Sequence, residues 1–261
     1  DTTNSGLILS RRGFKELPLE LWKAAGRRPI RILDLSYNQL TTDEIIPLSD
    51  DDENHKKAQE LARQAHDMTP PSMSSGKQAG SNIKMYDSSK LVGGLSNAFV
   101  PWSKPKLRTL EVLFLSSNRL DSIPDELFLL TGLTHLWLGT NQIAEVPTLI
   151  SQLDQLQVLS LSDNLITKLS PEIGALPNLQ QLLVRNNKLG LAEGVLHLPE
   201  HLGLLTTLKV LDLAQNLLST LPIELGRLYT TLERLNMEGN SWRFPTSGIT
   251  DQGRQETLRY L

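Results

Sequence analysis

Two histidines, His197 and His201, stand four positions apart, the spacing that would place two metal ligands on one turn of a helix. Pro199 lies between them, and a proline at that point disfavours the helix that would bring them together. A protein metal site needs three or four donor groups, and no third ligand is evident near this pair. The spacing therefore gives little support for a metal centre.

Catalytic chemistry has equally weak support. Serine, histidine and aspartate all occur, but no nucleophile elbow or other activating context surrounds any serine. Ser75-Gly76-Lys77 lacks the glycine spacing and the following Ser or Thr of a phosphate-binding loop. We therefore expect a protein that is not an enzyme and has no cofactor, and whose chemistry is recognition.

The elements that would position recognition residues come from a repeat. Asn118, Asn141, Asn164 and Asn187 stand 23 residues apart, each inside the frame Leu-x-x-Leu-x-Leu-x-x-Asn-x-Leu/Ile. With less regular copies on both sides and a degenerate first copy around Leu7, the chain contains eight repeats, the outer two acting as caps. A fixed period in the twenties is typical of a solenoid, and solenoids present long surfaces that mostly bind other proteins.

Each copy of the frame predicts one short strand followed by a turn. Side chains alternate along a strand, so both leucines of Leu-x-Leu point into the core. The asparagine follows, and its amide can pair backbone groups that would otherwise be buried and unpaired. Proline in the second half of most repeats favours irregular chain or a short helix. The predicted fold class is α/β: a leucine-rich repeat solenoid, forming a right-handed horseshoe with a concave parallel β-sheet and an irregular or short-helical convex side.

The residue between the two leucines of each frame faces solvent on the concave sheet. Phe114 and Trp137 hold this position in consecutive repeats, and their rings should touch because neighbouring strands lie about 4.8 Å apart. Apolar patches mark binding sites, and tryptophan, tyrosine and arginine are frequent at interface hot spots. The candidate partner-binding residues are Asp34, Tyr37, Phe99, Trp102, Val112, Phe114, His135, Trp137, Asp163, Leu183 and Arg185.

Composition fits one leucine-rich repeat domain over residues 1–261. With 26 basic and 29 acidic residues, the net charge of −3 leaves no electrostatic footprint for nucleic acid or an anionic membrane. No apolar run approaches the ~20 residues that span a bilayer. The chain has no cysteine and no Asn-x-Ser/Thr site, and both absences favour the cytoplasm or nucleus. No signal peptide is visible, although Asp1 is not a natural start and we expect an upstream segment to be missing.

Residues 221–228, Leu-Pro-Ile-Glu-Leu-Gly-Arg-Leu, resemble the half repeat that is the hallmark of intracellular leucine-rich repeat proteins of the Ras-binding and Shoc-like group. Residues 6–14 resemble the usual first repeat of that group, and residues 238–240 and 258–261 resemble the ending of several cytosolic members. Ser241-Trp242 departs from the proline that usually follows the last asparagine, which implies different packing of the end cap. The resemblance implies a binding scaffold, often for GTPases or phosphatases.

One long segment, residues 49–106, interrupts the period between the second and third repeats. Residues 50–68 are predicted to form a helix, and Phe99 and Trp102 lie near the end of the segment. Two interpretations stay open: a tolerated surface loop, or a docking element for a partner. The segment could also pack back on the solenoid and cover the aromatic pair. The other parts are an N-terminal cap at 1–29, regular repeats at 107–242 and a C-terminal cap at 243–261.

Three functions follow as alternatives. The chain could be a scaffold that binds a protein partner on the concave face, a structural subunit anchored in a large assembly by residues 49–106, or a regulatory subunit in a phosphatase or small GTPase pathway. In each case the chain is expected to be a monomer on its own.

Overall fold

The computed structural model describes residues 6–15, 30–42, 109–191 and 198–261. Within these ranges each copy of the Leu-x-Leu frame forms one three-residue strand. The strands are β1 (Gly6–Ile8), β2 (Ile32–Asp34), β3 (Val112–Phe114), β4 (His135–Trp137), β5 (Val158–Ser160), β6 (Gln181–Leu183), β7 (Val210–Asp212) and β8 (Arg234–Asn236).

All eight strands of the described residues form one parallel sheet in chain order, which does not close on itself. The register places each central leucine opposite the next, so that Leu33 pairs with Leu113 and Leu113 with Leu136. Strands β2 and β3 are direct neighbours although 80 positions separate Leu33 from Leu113 in the sequence. The predicted eight-repeat solenoid with a parallel sheet is confirmed.

The core is built from the leucines of the frame. In the third repeat Leu113 and Leu115 are completely buried, and so are Leu136 and Leu138 in the fourth. Because one three-residue strand cannot cover its own apolar side, each repeat gains burial only by stacking on its neighbours. One side of the sheet therefore packs against a continuous column of leucine side chains.

The asparagine of each frame joins its own repeat to the preceding one. Asn164 Nδ2 donates to the carbonyls of Leu161 in its own repeat and Leu138 in the preceding one, both at 3.0 Å. Its Oδ1 accepts the Ile143 backbone N–H at 3.0 Å. The predicted role of the asparagine in pairing buried backbone groups is confirmed.

The second half of most repeats contains a short 3₁₀ helix that follows an extended residue. That residue is Pro124, Pro147, Pro199 or Pro222 in four repeats and Ser170 in the fifth. Proline fixes φ near the helical value and lacks an N–H, so the helix begins after it at little cost. The 3₁₀ helices span Asp125–Leu129, Thr148–Gln152, Pro171–Ala175, Glu200–Leu204 and Ile223–Leu228.

The C-terminal end carries two short α-helices, α1 (Ser247–Thr250) and α2 (Arg254–Tyr260), the second packed against the last 3₁₀ helix. Trp242, two positions after the last asparagine of the frame, donates its Nε1–H to the Met237 carbonyl at 3.1 Å. Among the helices of the described ranges, none is long and apolar enough to cross a membrane.

Polar contacts outside the sheet also connect the second and third repeats. The Thr42 hydroxyl donates to Asp121 Oδ1 at 2.7 Å, and Arg31 forms a two-bonded ion pair with Glu111 at 2.7 and 2.8 Å. The hydrogen bond from Thr42 is the largest cause that lowers the pKa of Asp121. A carboxyl whose pKa is lowered in the folded state stabilises it above the ordinary pKa, and that contribution is lost as the pH falls through the lowered value.

We expect Thr42→Val to raise the pKa of Asp121 towards its ordinary value, because valine has the shape of threonine without the hydroxyl. The change is measured by following the carboxyl carbon of Asp121 by NMR as the pH is lowered. Thr131→Val, at an exposed threonine of the next repeat, is the matched control and should leave that titration in place. An identical midpoint in Thr42→Val and wild type would show that Thr42 does not set this pKa.

Candidate recognition surface on the sheet

The first and third residues of each strand point away from the core and form the surface that we call the sheet face. In the third-residue column, Asp34 pairs with Phe114, Phe114 with Trp137, Trp137 with Ser160, and Ser160 with Leu183. The column is thus an ordered row of side chains one strand apart, about 4.8 Å between neighbours. The sequence prediction that these residues share one surface is consistent with this register.

Phe114 and Trp137 form a stacked aromatic pair in the middle of this row. Their ring centroids lie 6.1 Å apart and the ring planes differ by 18°. Val112 and His135 stand beside them in the first-residue column, paired with each other. All four side chains are half-buried, so the pair presents apolar surface without being sealed inside the protein.

His135 is held in place by its neighbour. The Thr134 hydroxyl donates to the Glu111 carbonyl at 2.9 Å, and its oxygen lies 2.9 Å from His135 Nδ1. Because the single hydroxyl proton is directed to Glu111, the Nδ1–H tautomer of His135 satisfies both contacts. This tautomer leaves Nε2 as a hydrogen-bond acceptor on the sheet face.

Tyr37 lies one repeat away from Phe114, and its side chain is 55% exposed. The guanidinium of Arg11, from the first repeat, lies over the Tyr37 ring at 4.7 Å from its centroid. A cation over an aromatic face is attracted by the ring quadrupole. Arg11 was not singled out from the sequence, and the signal that could have identified it is its position one repeat before Tyr37 in the same column.

Asp163 and Arg185, predicted at the border of the surface, are both exposed and both engaged with a neighbouring repeat. Asn186 Nδ2 donates to Asp163 Oδ1 at 2.7 Å, and Arg185 Nε donates to Gln215 Oε1 at 3.1 Å. These contacts run along the direction of stacking. The border is therefore a polar network rather than a set of isolated charges.

Asp34 has a local role in the turn that follows its strand. Its Oδ1 accepts the Ser36 backbone N–H at 2.9 Å and the Ser36 hydroxyl at 2.6 Å. Asp212 accepts the Ala214 N–H at 3.0 Å in the equivalent way. The two carboxylates are thus partly used in stabilising their own strand ends.

Ser160 was not singled out among the candidate residues, although it lies between Trp137 and Leu183 in the row. It is only 6% exposed, and all three residues of β5 are buried. The signal that could have identified it is a small polar residue flanked on both sides by large apolar ones in one column.

Several sequence predictions lie outside the described residues: Phe99, Trp102, the whole segment 49–106 and His197. His201 is exposed at the 3₁₀ helix Glu200–Leu204. In the described ranges, no group of three His, Cys, Asp or Glu side chains could hold a metal ion.

Comparison with known proteins agrees with the repeat architecture. A family model described as leucine-rich repeats (2 copies) matches the chain at two places, residues 108–151 and residues 154–195. The ectodomain of the plant receptor kinase GASSHO1/SCHENGEN3 from Arabidopsis thaliana, in complex with CASPARIAN STRIP INTEGRITY FACTOR 2, is 25% identical with a TM-score of 0.53, over 86% of this chain and 23% of that one. A TDR receptor is 21% identical with a TM-score of 0.53, over 92% of this chain and 35% of that one.

A leucine-rich repeat protein of Leptospira interrogans is 26% identical with a TM-score of 0.47, over 93% of this chain and 57% of that one. The chain thus spans less than two thirds of the length of each of these three proteins. Together with the parallel sheet and the asparagine contacts, the family match and the two receptor structures identify the fold as a leucine-rich repeat solenoid.

Proposed function

We propose that this leucine-rich repeat solenoid is a non-catalytic scaffold that binds a protein partner on its sheet face. The stacked pair of Phe114 and Trp137 carries the proposal. Leucine-rich repeat proteins are in general protein-interaction scaffolds, and the Arabidopsis ectodomain was itself determined in complex with CASPARIAN STRIP INTEGRITY FACTOR 2.

The aromatic pair has the properties of an interface hot spot. Two half-buried rings already stacked on each other lose little side-chain freedom when a partner covers them, and they offer large apolar area. The polar network of Asp163 and Arg185 stands on the same surface, where rim contacts exclude water from the centre. His135 adds an acceptor beside the rings. Together these features favour a folded or extended protein segment with apolar side chains at its centre.

We expect the double substitution Phe114→Ala and Trp137→Ala to weaken partner binding by about 30-fold or more, the effect of losing hot-spot residues. The measurement is recovery of the partner on the immobilised chain, followed by a titration with the purified partner. Both rings lie on the solvent side of the sheet, so the circular dichroism spectrum should be unchanged.

The matched control is Leu204→Ala, which removes a large apolar side chain that is 52% exposed outside the sheet face. Partner binding should survive this change. Equal affinity of the double variant and wild type would remove the sheet face from the proposal.

We infer the class of the partner from the half repeat of residues 221–228, which resembles that of the Ras-binding and Shoc-like group. It favours a GTPase or a phosphatase as the partner, with the chain acting in the cytoplasm or nucleus as a monomer. Purified chain that changes the hydrolysis rate of such an enzyme would support a regulatory role. Binding without any change in rate would leave a scaffold.

A structural subunit is the second candidate, favoured by the direct pairing of β2 and β3 on the two sides of the segment 49–106. Because these strands already pair, we expect a chain shortened by that segment to fold. Loss of the shortened chain from an assembly, with the Phe114 and Trp137 variant still incorporated, would support the segment as an anchor.

A further inference from the structure

Two backbone hydrogen bonds of one kind run from each repeat to the repeat that follows it. The first donor is the residue directly after the strand, and the second is the residue of positive φ two positions later. In the seventh repeat, Leu213 N–H donates to the Asn236 carbonyl at 2.8 Å, and Gln215 N–H donates to the Glu238 carbonyl at 2.7 Å. The six earlier repeats follow the same pattern.

The eighth repeat presents the same two donors without acceptors. They are the N–H groups of Met237, directly after β8, and of Gly239, whose φ is 70°. Within the ranges that the structure describes, no backbone or side-chain acceptor lies within hydrogen-bond distance of either N–H. The sheet therefore ends in an open strand edge, and such an edge is a template for another extended chain.

A cavity of about 400 Å³ lies beside this edge, within the range of ~300–1,000 Å³ that is usual for ligand pockets. It is lined by Leu235 and Met237, which are buried in the core, and by Asn236 and Glu238, which are on the solvent side of the strand. Because residues of both sides line it, the cavity lies at the edge of β8 rather than on one face. The C-terminal cap, including Asp251, lines the rest of it.

The other half of the last repeat is already covered. A methyl group at Gly226, in the last 3₁₀ helix, would lie 2.9 Å from the Leu261 carbonyl carbon and 3.3 Å from the Leu258 carbonyl oxygen. The cap thus takes the position that the next 3₁₀ helix takes in the earlier repeats. A second copy of the chain could not continue the solenoid here, because repeats stack through both halves, whereas an extended segment needs only the strand edge.

The hydrogen bonds already present favour a parallel orientation of such a segment. The Met237 carbonyl accepts the Trp242 Nε1–H and the Asn240 Nδ2–H, both at 3.1 Å, so both of its lone pairs are used. In an antiparallel pair, opposite residues exchange an N–H and a carbonyl bond, which would need this carbonyl as well. A parallel segment needs only the N–H groups of Met237 and Gly239, as in the earlier repeats.

The charge around the cavity favours a basic segment. Glu238 and Asp251 line the cavity and are exposed, and neither forms an ion pair in the described part of the chain. A lysine or arginine side chain of an entering segment would meet both carboxylates, and complementary charge of this kind contributes to specificity.

We propose that the open edge of β8 binds an extended, basic segment of a protein partner as an additional parallel strand. Two carbonyls of the segment, two residues apart, would accept the N–H groups of Met237 and Gly239, and a lysine or arginine would lie near Glu238 and Asp251. Main-chain hydrogen bonds give affinity in strand addition of this kind. The site does not use the aromatic pair of the sheet face, so it goes beyond the proposed function.

The probe is a synthetic peptide of alternating valine and lysine, about eight residues long. Its control peptide has proline in place of valine, which keeps the charge and disfavours pairing as a strand. In the unbound full chain we expect the amide hydrogens of Met237 and Gly239 to exchange faster than those of Leu213 and Gln215, as measured by NMR. The valine peptide should slow exchange at Met237 and Gly239, and should bind about tenfold tighter than the proline peptide, as two hydrogen bonds imply.

A charge reversal tests the basic character of the segment. Glu238→Lys should weaken binding of the valine peptide by about threefold or more. Glu145→Lys, at an exposed glutamate of the fourth repeat, makes the same change in net charge and is the matched control, which should keep the wild-type affinity. Equal affinities of the two variants would remove the carboxylates from the proposal.

Three results would overturn the site itself. The two peptides could bind equally, or Met237 and Gly239 could exchange slowly in the unbound chain at every protein concentration, which would mean that the edge is closed. Slow exchange that appears only as the protein concentration rises would assign the edge to a second copy of the chain.

The variant carrying Phe114→Ala and Trp137→Ala separates this site from the sheet face. It should bind the valine peptide with wild-type affinity, because neither ring lines the cavity beside β8. Loss of peptide binding in that variant would place the peptide on the sheet face, which overturns strand addition and leaves the proposed function standing. Peptide binding that survives while the partner is still bound by the double variant would leave strand addition standing and remove the sheet face.

Discussion

Replacing Asn164 with alanine is expected to lower the free energy of unfolding by about 3–5 kcal/mol. The side chain is 6% exposed and holds the Ile143 N–H and the carbonyls of Leu138 and Leu161. Alanine offers none of these groups a partner, and each buried unpaired group costs about 1–3 kcal/mol. Because Leu138 and Ile143 belong to the preceding repeat, the loss falls on the contact between repeats.

Urea unfolding followed by circular dichroism measures this effect as a shift of the transition midpoint. Asn178→Ala is the matched control, because Asn178 is exposed and makes one hydrogen bond, to the Asp154 carbonyl at 2.8 Å. It should shift stability by less than about 1 kcal/mol. In a solenoid, stability is a sum of repeats and their interfaces, so Asn164→Ala is also expected to broaden the transition. Similar midpoints for the two variants would contradict a bridging role of Asn164.

The frame of leucines and asparagines was enough to predict the strands and their order. The register follows from the frame because a slip by one residue would move Leu113 from the core to solvent. The same register brings Phe114 opposite Trp137, so the stacking of their rings was predictable from spacing alone. Their role in binding remains a proposal that the mutational test addresses.

Backbone conformation before each asparagine could not be predicted from residue type. Tyr37 and Thr140 have positive φ of 56°, a region that side chains of these kinds rarely adopt. The conformation is imposed from neighbouring repeats: Tyr37 N–H donates to the Ser116 carbonyl and Thr140 N–H to the Ser162 carbonyl, both at 2.9 Å. Local propensity is therefore overruled by hydrogen bonds between neighbouring repeats, which a single repeat does not contain.

The burial of Ser160 could not be predicted, for a related reason. A serine in a solvent-facing column is expected to be exposed, but Ser160, which lies opposite Trp137 and Leu183 on the adjacent strands, is only 6% exposed. Arg11 and Tyr37 meet in the same way across β1 and β2. The burial and contacts of side chains on this surface thus depend on neighbouring repeats, whereas the frame predicts only the structure within one repeat. The segment 49–106 carries no period and so offered no register from which to place Phe99 and Trp102.

A second large loss of stability is expected at a glycine of the 3₁₀ helices. A methyl group at Gly203 would overlap the Glu224 carbonyl oxygen of the next repeat and lie 2.8 Å from Glu224 Cβ, and a methyl group at Gly174 would overlap the His201 carbonyl oxygen. The glycine in the half repeat therefore allows consecutive 3₁₀ helices to stack in contact. In the repeat of Asp125–Leu129 the same position holds Phe128, which is buried. The need for glycine at this position therefore depends on the spacing of each pair of repeats.

We expect Gly203→Ala to destabilise the fold by about 3 kcal/mol, because the obstructing atom is backbone and the two repeats must move apart to admit the methyl group. Gly248→Ala is the matched control: its nearest atom would be Thr246 Oγ1 at 4.0 Å, and alanine is favoured over glycine in a helix such as α1. That variant should be neutral or slightly more stable in the same urea titration. Equal stabilities of the two alanine variants would mean that the 3₁₀ helices Glu200–Leu204 and Ile223–Leu228 can move apart without loss of stability. Glycine would then not set the spacing of these repeats.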